Sequence, residues 1–223
     1  MSTILVVEDE DILREVMIDY LIEDGYHVLE AANGEKALEL FQSNSVDLLI
    51  LDIGLPKIDG WSVCRRIRKN SNIPIIMLTA RSDEDDSLLG YELGADDYLI
   101  KPYSPRVLMV KVKRFLEKYS GVTDGTLAVK GIKINMGSRL VSIDGNTINL
   151  THTEFEILAY LMKNKGIVIT REQLIARIWG YDFYGDEKTV NSHIRNLRAK
   201  LGNKGSCIVT VIRSGYKFEE EQL

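Results

Sequence analysis

The sequence predicts an α/β doubly wound sheet of five parallel strands in its first half and a smaller α+β unit in its second, and three observations carry that prediction. Four short apolar runs each end in a residue suited to phosphate or metal chemistry: Ile4-Leu5-Val6-Val7 runs into Glu8 and Asp9, Leu48-Leu49-Ile50-Leu51 into Asp52, Ile75-Ile76-Met77-Leu78 into Thr79, and Tyr98-Leu99-Ile100 into Lys101-Pro102. Runs of this length, rich in β-branched residues, read as buried parallel strands, and open parallel sheets bind ligands at the carboxyl ends of their strands. Strand and helix patterns alternate through five βα units, which implies helices on both faces of one sheet. The third observation is charge: residues 1–120 hold 14 Lys+Arg and 22 Asp+Glu, a net of -8, whereas residues 121–223 hold 14 and 11, a net of +3.

Taken in order, the strand into Glu8 is followed by apolar positions at Ile12, Leu13, Val16, Met17, Tyr20 and Leu21, a helical spacing that Gly25 ends as a C-terminal cap. A strand at 27–31, a helix at 34–42, the strand into Asp52, a helix near 61–68 and the strand into Thr79 come next. A helix near 84–93, the strand into Lys101 and a helix at 105–118 complete the five units. The pattern then lapses into the polar stretch Ser120-Gly121-Val122-Thr123-Asp124-Gly125. The expected boundaries are a first domain at 1–119, a linker at 120–126 and a second domain at 127–223. Residues 127–150 read as short antiparallel strands with Asp144-Gly145 as a hairpin turn. Two helices then open with capping boxes, Thr151 with Glu154 and Thr170 with Gln173, and a third spans about 187–201. A strand pair near 208–211 and 216–218 closes the chain.

Composition narrows the class. With 223 residues, 45% hydrophobic and 27% charged, the chain reads as an ordinary globular protein of one or two domains. No apolar stretch approaches the ~20 residues needed to span a bilayer, and Met1-Ser2-Thr3 leads into a strand rather than a signal peptide, so the expected location is the cytoplasm with no membrane partner. Cys64 and Cys207 stand far apart without metal-ligand spacing and read as buried thiols. Between Lys188 and Phe218 there are seven basic residues and no acid, which points to a polyanion partner.

The strand ends place three carboxylates, a hydroxyl and an ammonium in one pocket. Such a set could hold a hard divalent cation, accept a phosphoryl group on one carboxylate and grip its oxygens. Singly, each residue has a bland reading: an acidic helix entry at 8–11, a turn former at Asp52, a helix cap at Thr79. Together these do not explain why every candidate falls at a strand's carboxyl end.

Val7-Glu8-Asp9-Glu10, Leu51-Asp52-Ile53-Gly54-Leu55-Pro56 with Asp59-Gly60, Leu78-Thr79-Ala80-Arg81 and Gly94-Ala95-Asp96-Asp97-Tyr98-Leu99-Ile100-Lys101-Pro102-Tyr103 resemble the flavodoxin/CheY-like receiver domain of bacterial two-component response regulators. Leu150-Thr151-His152-Thr153-Glu154-Phe155-Glu156, Trp179-Gly180-Tyr181, Thr189-Val190-Asn191-Ser192-His193-Ile194-Arg195 and Gly215-Tyr216-Lys217-Phe218 resemble the winged helix-turn-helix output domain of the OmpR/PhoB subfamily. The resemblance implies a DNA-binding transcriptional regulator that is not an enzyme beyond Mg²⁺-dependent self-phosphorylation and self-dephosphorylation at Asp52. A sensor histidine kinase would phosphorylate Asp52. Mg²⁺ suits an all-oxygen set, with Glu8, Asp9 and Asp52 as ligands and the Gly54 carbonyl completing the shell. Lys101 would pair with a phosphoryl oxygen, aimed by a cis bond before Pro102, and Thr79 and Tyr98 would act as the switch.

The resemblance further implies a symmetric homodimer on the face spanning about 84–118. Asp96 and Asp97 against Lys111 and Lys113 match its ion pairs, while the usual Lys and Glu pair stands here as Ser87 and Val107. Gly54 replaces a larger residue, which predicts easier access of water to the acyl phosphate. On the third helix of the second domain, Val190, Ile194, Leu197 and Leu201 read as the inward face. Lys188, Thr189, Ser192, His193, Arg195, Asn196 and Arg198 read as the double-stranded DNA contacts, with Asn196 and Arg195 at bases, His193 as a phosphate contact or else a packing residue, tandem half-sites as the target and Arg213 as a wing contact. The segment 179–186 resembles one that meets RNA polymerase; Trp179 reads equally as core.

Two rivals use the same residues. An aspartyl-phosphate hydrolase of the haloacid dehalogenase kind wants a second Asp two residues after the nucleophile, where this chain has Gly54. A phosphorylation-independent winged-helix binder would not need the intact set Glu8, Asp9, Asp52, Thr79 and Lys101.

Overall fold

The computed structural model describes residues 1–80, 93–116, 125–180, 183 and 187–220. The chain divides into two compact units, Met1–Lys118 and Tyr119–Leu223.

The first unit contains β1 (Thr3–Val7), α1 (Asp11–Glu23), β2 (His27–Ala31), α2 (Gly34–Ser43), β3 (Leu48–Asp52), α3 (Gly60–Arg68), β4 (Ile75–Thr79), β5 (Asp97–Ile100) and α4 (Pro105–Leu116). The helix expected near 84–93 falls outside the described residues but for its last position. The five strands pair in parallel in the order β2-β1-β3-β4-β5, so the doubly wound expectation holds. Every residue of β3 and β4 is buried, which is why these strands read as unbroken apolar runs. The strand period of two sorts their side chains into separate layers. Leu5, Val7, Leu49, Leu51, Ile75 and Met77 join one core with α2 and α3 residues; Ile4, Val6, Leu48, Ile50, Ile76 and Leu78 join the other with Met17, Leu21, Leu108 and Val112.

The second unit opens with an antiparallel sheet of β6 (Thr126–Val129), β7 (Ile132–Asn135), β8 (Leu140–Ile143) and β9 (Asn146–Ile148). Its first strand starts one residue before the expected boundary; of the expected linker, 120–124 lie outside the described residues. The turn at Asp144-Gly145 has φ of 48° and 88°, the pair of positive values that a two-residue hairpin requires and Gly supplies at no steric cost. Next come α5 (His152–Lys163), β10 (Ile169–Thr170), α6 (Arg171–Ile178), α7 (Glu187–Leu201), a 3₁₀ turn (Gly202–Cys207), β11 (Ile208–Val211) and β12 (Gly215–Phe218), with the strands ordered β10-β12-β11. Both capping boxes form: Thr151 Oγ1 accepts from Glu154 N while Thr151 N donates to the Glu154 carboxylate, and Thr170 and Gln173 repeat the exchange. A single core of α5, α6, α7 and strand side chains, including Trp179 and Phe218, holds the unit together.

Candidate functional site

At the carboxyl ends of β1, β3 and β5 the first unit gathers Glu8, Asp9, Asp52 and Lys101. Carboxylate oxygens of Glu8, Asp9 and Asp52 lie within 4.8 Å of one another. Glu8 is fully buried, Asp52 nearly so and Asp9 exposed, so the cluster opens to solvent on one side. Lys101 Nζ reaches Glu8 at 2.7 Å and Asp52 at 3.1 Å. Burial pushes the Glu8 carboxyl above its ordinary value and the Asp52 charge adds to this, while the hydrogen bond from Lys101 opposes it. Burial disfavours the Lys101 ammonium, but the Glu8 hydrogen bond and the Asp52 and Glu8 charges outweigh it and hold Lys101 above its ordinary value, hence charged. Three carboxylates against one ammonium leave two negative charges uncompensated. That imbalance and the all-oxygen donor set fit one hard divalent cation such as Mg²⁺.

Local chain geometry holds the cluster in place. A Cβ on Gly60, the first residue of α3, would meet Asp52 O at 2.1 Å, so only glycine lets α3 begin against the end of β3. Asp59 caps α3 by accepting from Ser62 N at 2.9 Å. The peptide bond between Lys101 and Pro102 is cis, as expected. Gly54 stands beside the cluster with open space, since an added Cβ would meet only Asp52 Oδ2, at 3.6 Å. Thr79, 3% exposed, ends β4, and Tyr98 on β5 packs half-buried with its ring 6.1 Å from Trp61. Arg14 donates to the Glu8 carbonyl at 2.9 Å while pairing with Asp11 and Glu30. Sequence reading passed over it, although it is the only Lys or Arg among the first 35 residues.

Three residues expected at the dimer face have partners within the single chain. Asp96 and Asp97 are fully buried: Asp96 accepts from Arg68 Nη2 at 2.7 Å and Ile75 N at 3.0 Å, and Asp97 accepts from Lys111 Nζ at 2.5 Å. Lys111, 5% exposed, is therefore committed inside the fold rather than offered to a partner. Buried charges need close partners, and the nearest lie in the same chain. Lys113 is exposed, Val107 half-buried and Val110 55% exposed; Ser87 lies outside the described residues.

In the second unit, α6 and α7 form the helix-turn-helix and the β11–β12 turn forms a wing. Val190, Ile194, Leu197 and Leu201 face inward as expected. Thr189 and Ser192 correct the expectation, being 2% and 6% exposed, and of the two readings of His193 its 1% exposure fits packing. Packing of α7 against α5, α6 and the 3₁₀ turn covers a wider arc than its four apolar residues mark, and the His193 ring lies 5.4 Å from Trp179. Arg198 is turned to the wing, donating to Ile208 O at 2.6 Å and Thr210 Oγ1 at 2.8 Å. The exposed positions of α7 are Glu187, Lys188, Asn191, Arg195, Ala199 and Lys200, with Asn196 half-buried. At the wing tip Ile212, Arg213 and Ser214 are exposed, and Arg213 has a φ of 60°. Trp179 is core, 1% exposed and stacked on Phe183 at 5.2 Å.

Comparison with known proteins agrees with both units. Residues 4–113 match the model of the response regulator receiver domain, and residues 145–218 match that of the transcriptional regulatory protein C-terminal domain. The sensory transduction protein RegX3 of Mycolicibacterium smegmatis is 39% identical over 98% of this chain and 100% of its own. Among solved structures, a single-site mutant of RitR covers 99% of the chain and 100% of its own at 26% identity and a TM-score of 0.78. DrrB of Thermotoga maritima, an OmpR/PhoB homolog, covers 98% and 99% at 32% identity and a TM-score of 0.54.

Proposed function

The chain belongs to the OmpR/PhoB subfamily of two-component response regulators, transcriptional regulators with a receiver and a DNA-binding domain, and from that premise we propose that phosphorylation of Asp52 by a sensor histidine kinase switches its action on DNA. The observation that carries this reading is the Lys101 ammonium bridging Glu8 and Asp52 beside an open, doubly negative cluster. An Asp52 oxygen bonds to phosphorus as the P–N bond to the kinase histidine breaks, and the imidazole leaves. Glu8, Asp9, Asp52 and the Gly54 carbonyl would hold Mg²⁺. Bound there, Mg²⁺ screens the like charges of the phosphoryl donor and the carboxylate. Lys101 exchanges its contact with Asp52 for a phosphoryl oxygen, and the Thr79 hydroxyl donates to another. Small phosphodonors serve the same site, and hydrolysis at Asp52 resets it.

Displacement of Thr79, with Tyr98 behind it, biases the β5 and α4 face toward a homodimer that binds tandem half-sites. Because Asp96, Asp97 and Lys111 are paired internally, the apolar Val107 and Val110 and the exposed Lys113 supply that contact. Arg195 and Asn196 then meet bases, Lys188 meets a phosphate, Arg213 lies at the minor groove and RNA polymerase is met through the segment 179–186. The setting is the cytoplasm; no described helix is long and apolar enough to cross a membrane.

The deciding experiment adds a small phosphodonor with Mg²⁺ to the parent and to Asp52→Ala, following intact mass and dimerisation. The expected result is one phosphoryl adduct and a dimer in the parent alone. An adduct in Asp52→Ala, or a parent that gains none, overturns the reading.

A further inference from the structure

Asn191 is an exposed residue of α7 whose side chain is held from two other elements. Its Oδ1 accepts from the Tyr216 hydroxyl at 2.7 Å and from Arg171 Nε at 3.2 Å. Those partners lie on β12 and on the first turn of α6, so three elements converge on one amide. The junction is braced in turn: the Arg171 and Arg198 guanidinium groups lie 5.1 and 5.7 Å from the Tyr216 ring centre, and Arg198 is bonded to β11. Tyr216 itself is 4% exposed.

Donor chemistry decides which end of the amide faces inward. A guanidinium Nε can only donate, so the atom opposite it is the carbonyl oxygen, and the two bonds use both of that oxygen's lone pairs. Nδ2 then points away from the junction, and among the described residues no acceptor meets it. An unconstrained asparagine pairs with adenine by donating to N7 and accepting from N6. Asn191 has no acceptor left for that pair.

We propose that Asn191 is a specificity-determining residue of the DNA interface, a donor-only reader held by Tyr216 and Arg171 that selects guanine or thymine and rejects cytosine. Guanine offers O6 and N7 to the two amide protons and thymine offers O4, whereas cytosine presents the N4 donor against them. Tyr216 and Arg171 are positioning residues. This inference deepens the DNA-binding reading above and rests on it.

The test selects binding sites from a random duplex pool with the full-length chain treated with phosphodonor and Mg²⁺, as parent, Asn191→Asp and Tyr216→Phe. Asn191→Asp keeps an oxygen for Tyr216 and Arg171 and replaces the outward donor by an acceptor. It is expected to change the selected base at one position of each half-site from guanine or thymine to cytosine, by about tenfold or more in enrichment ratio, with the other positions unchanged. Tyr216→Phe is expected to relax the preference at that same position, which a general loss of affinity would not do. The same selected bases for parent and Asn191→Asp, or adenine at the affected position in the parent, overturn the proposal while leaving DNA binding intact. A parent that enriches no sequence overturns the DNA-binding reading itself, and the proposal with it.

Discussion

Two residues past Asp52, the proposed phosphoacceptor, Gly54 leaves an opening that any side chain would partly fill. An added Cβ meets no clash there, so Gly54→Met is expected to prolong the phosphorylated state several-fold by obstructing water, read as the decay of the purified phosphoprotein; equal decay rates count against it. Arg68 tests a different property. It spends its guanidinium on Asp96 and on the Gly94 and Ile73 carbonyls, so Arg68→Ala takes a cation from a fully buried carboxylate that keeps its bond from Ile75 N. Loss of one partner of a buried pair costs about 3–5 kcal/mol, and denaturant unfolding of the first unit should show a loss of that order. Asp52, Glu8 and Lys101 were legible in the sequence because a buried parallel strand is an unbroken apolar run whose end is marked by its first polar residues. The Arg68 and Asp96 pair was not: its members stand 28 positions apart, and no period links them.

At the level of elements, α7 divides what patterning can and cannot disclose. Its apolar residues give the direction of the core, but the width of the buried arc depends on how many neighbours close around the helix. Thr189, Ser192 and His193 lie inside that arc because α5, α6 and the 3₁₀ turn all reach it. Polar residue type alone carries no sign of this. The wing shows a different case, where the backbone and not the pattern sets the cost. Arg213, at the wing tip, adopts a φ of 60°. An L residue bears a cost of about 1 kcal/mol there, so Arg213→Gly is expected to stabilise the second unit by roughly that amount in thermal unfolding. The same variant is expected to lower the slope of log affinity against log salt by about one, because one cation leaves the DNA interface. An unchanged salt slope would remove Arg213 from that interface.

Across the whole molecule, the described core residues form clusters that stay within one unit each. Thermal unfolding is therefore expected to resolve two transitions, and added Mg²⁺ to raise only that of the first unit. Saturation at about 100 times the dissociation constant adds roughly 2.7 kcal/mol to the state that binds. Asp9→Ala, which removes a proposed ligand that is exposed and no core packing, is expected to abolish the rise; a rise of both transitions would contradict the division. The charge split between the halves was open to reading in composition, as was the five-stranded parallel sheet through its βα alternation; the order of its strands was not. Within the first unit, the two layers of the sheet give Lys101 a mechanical setting. Tyr98 packs in the layer of Trp61 and Val63, while Tyr103, five residues on, packs in the layer of Met17 and Leu108. Side chains just before and after Lys101 thus anchor in both layers of the sheet. In the proposed switch, a shift of its ammonium from one oxygen to another would act on a stretch of chain held from both faces at once.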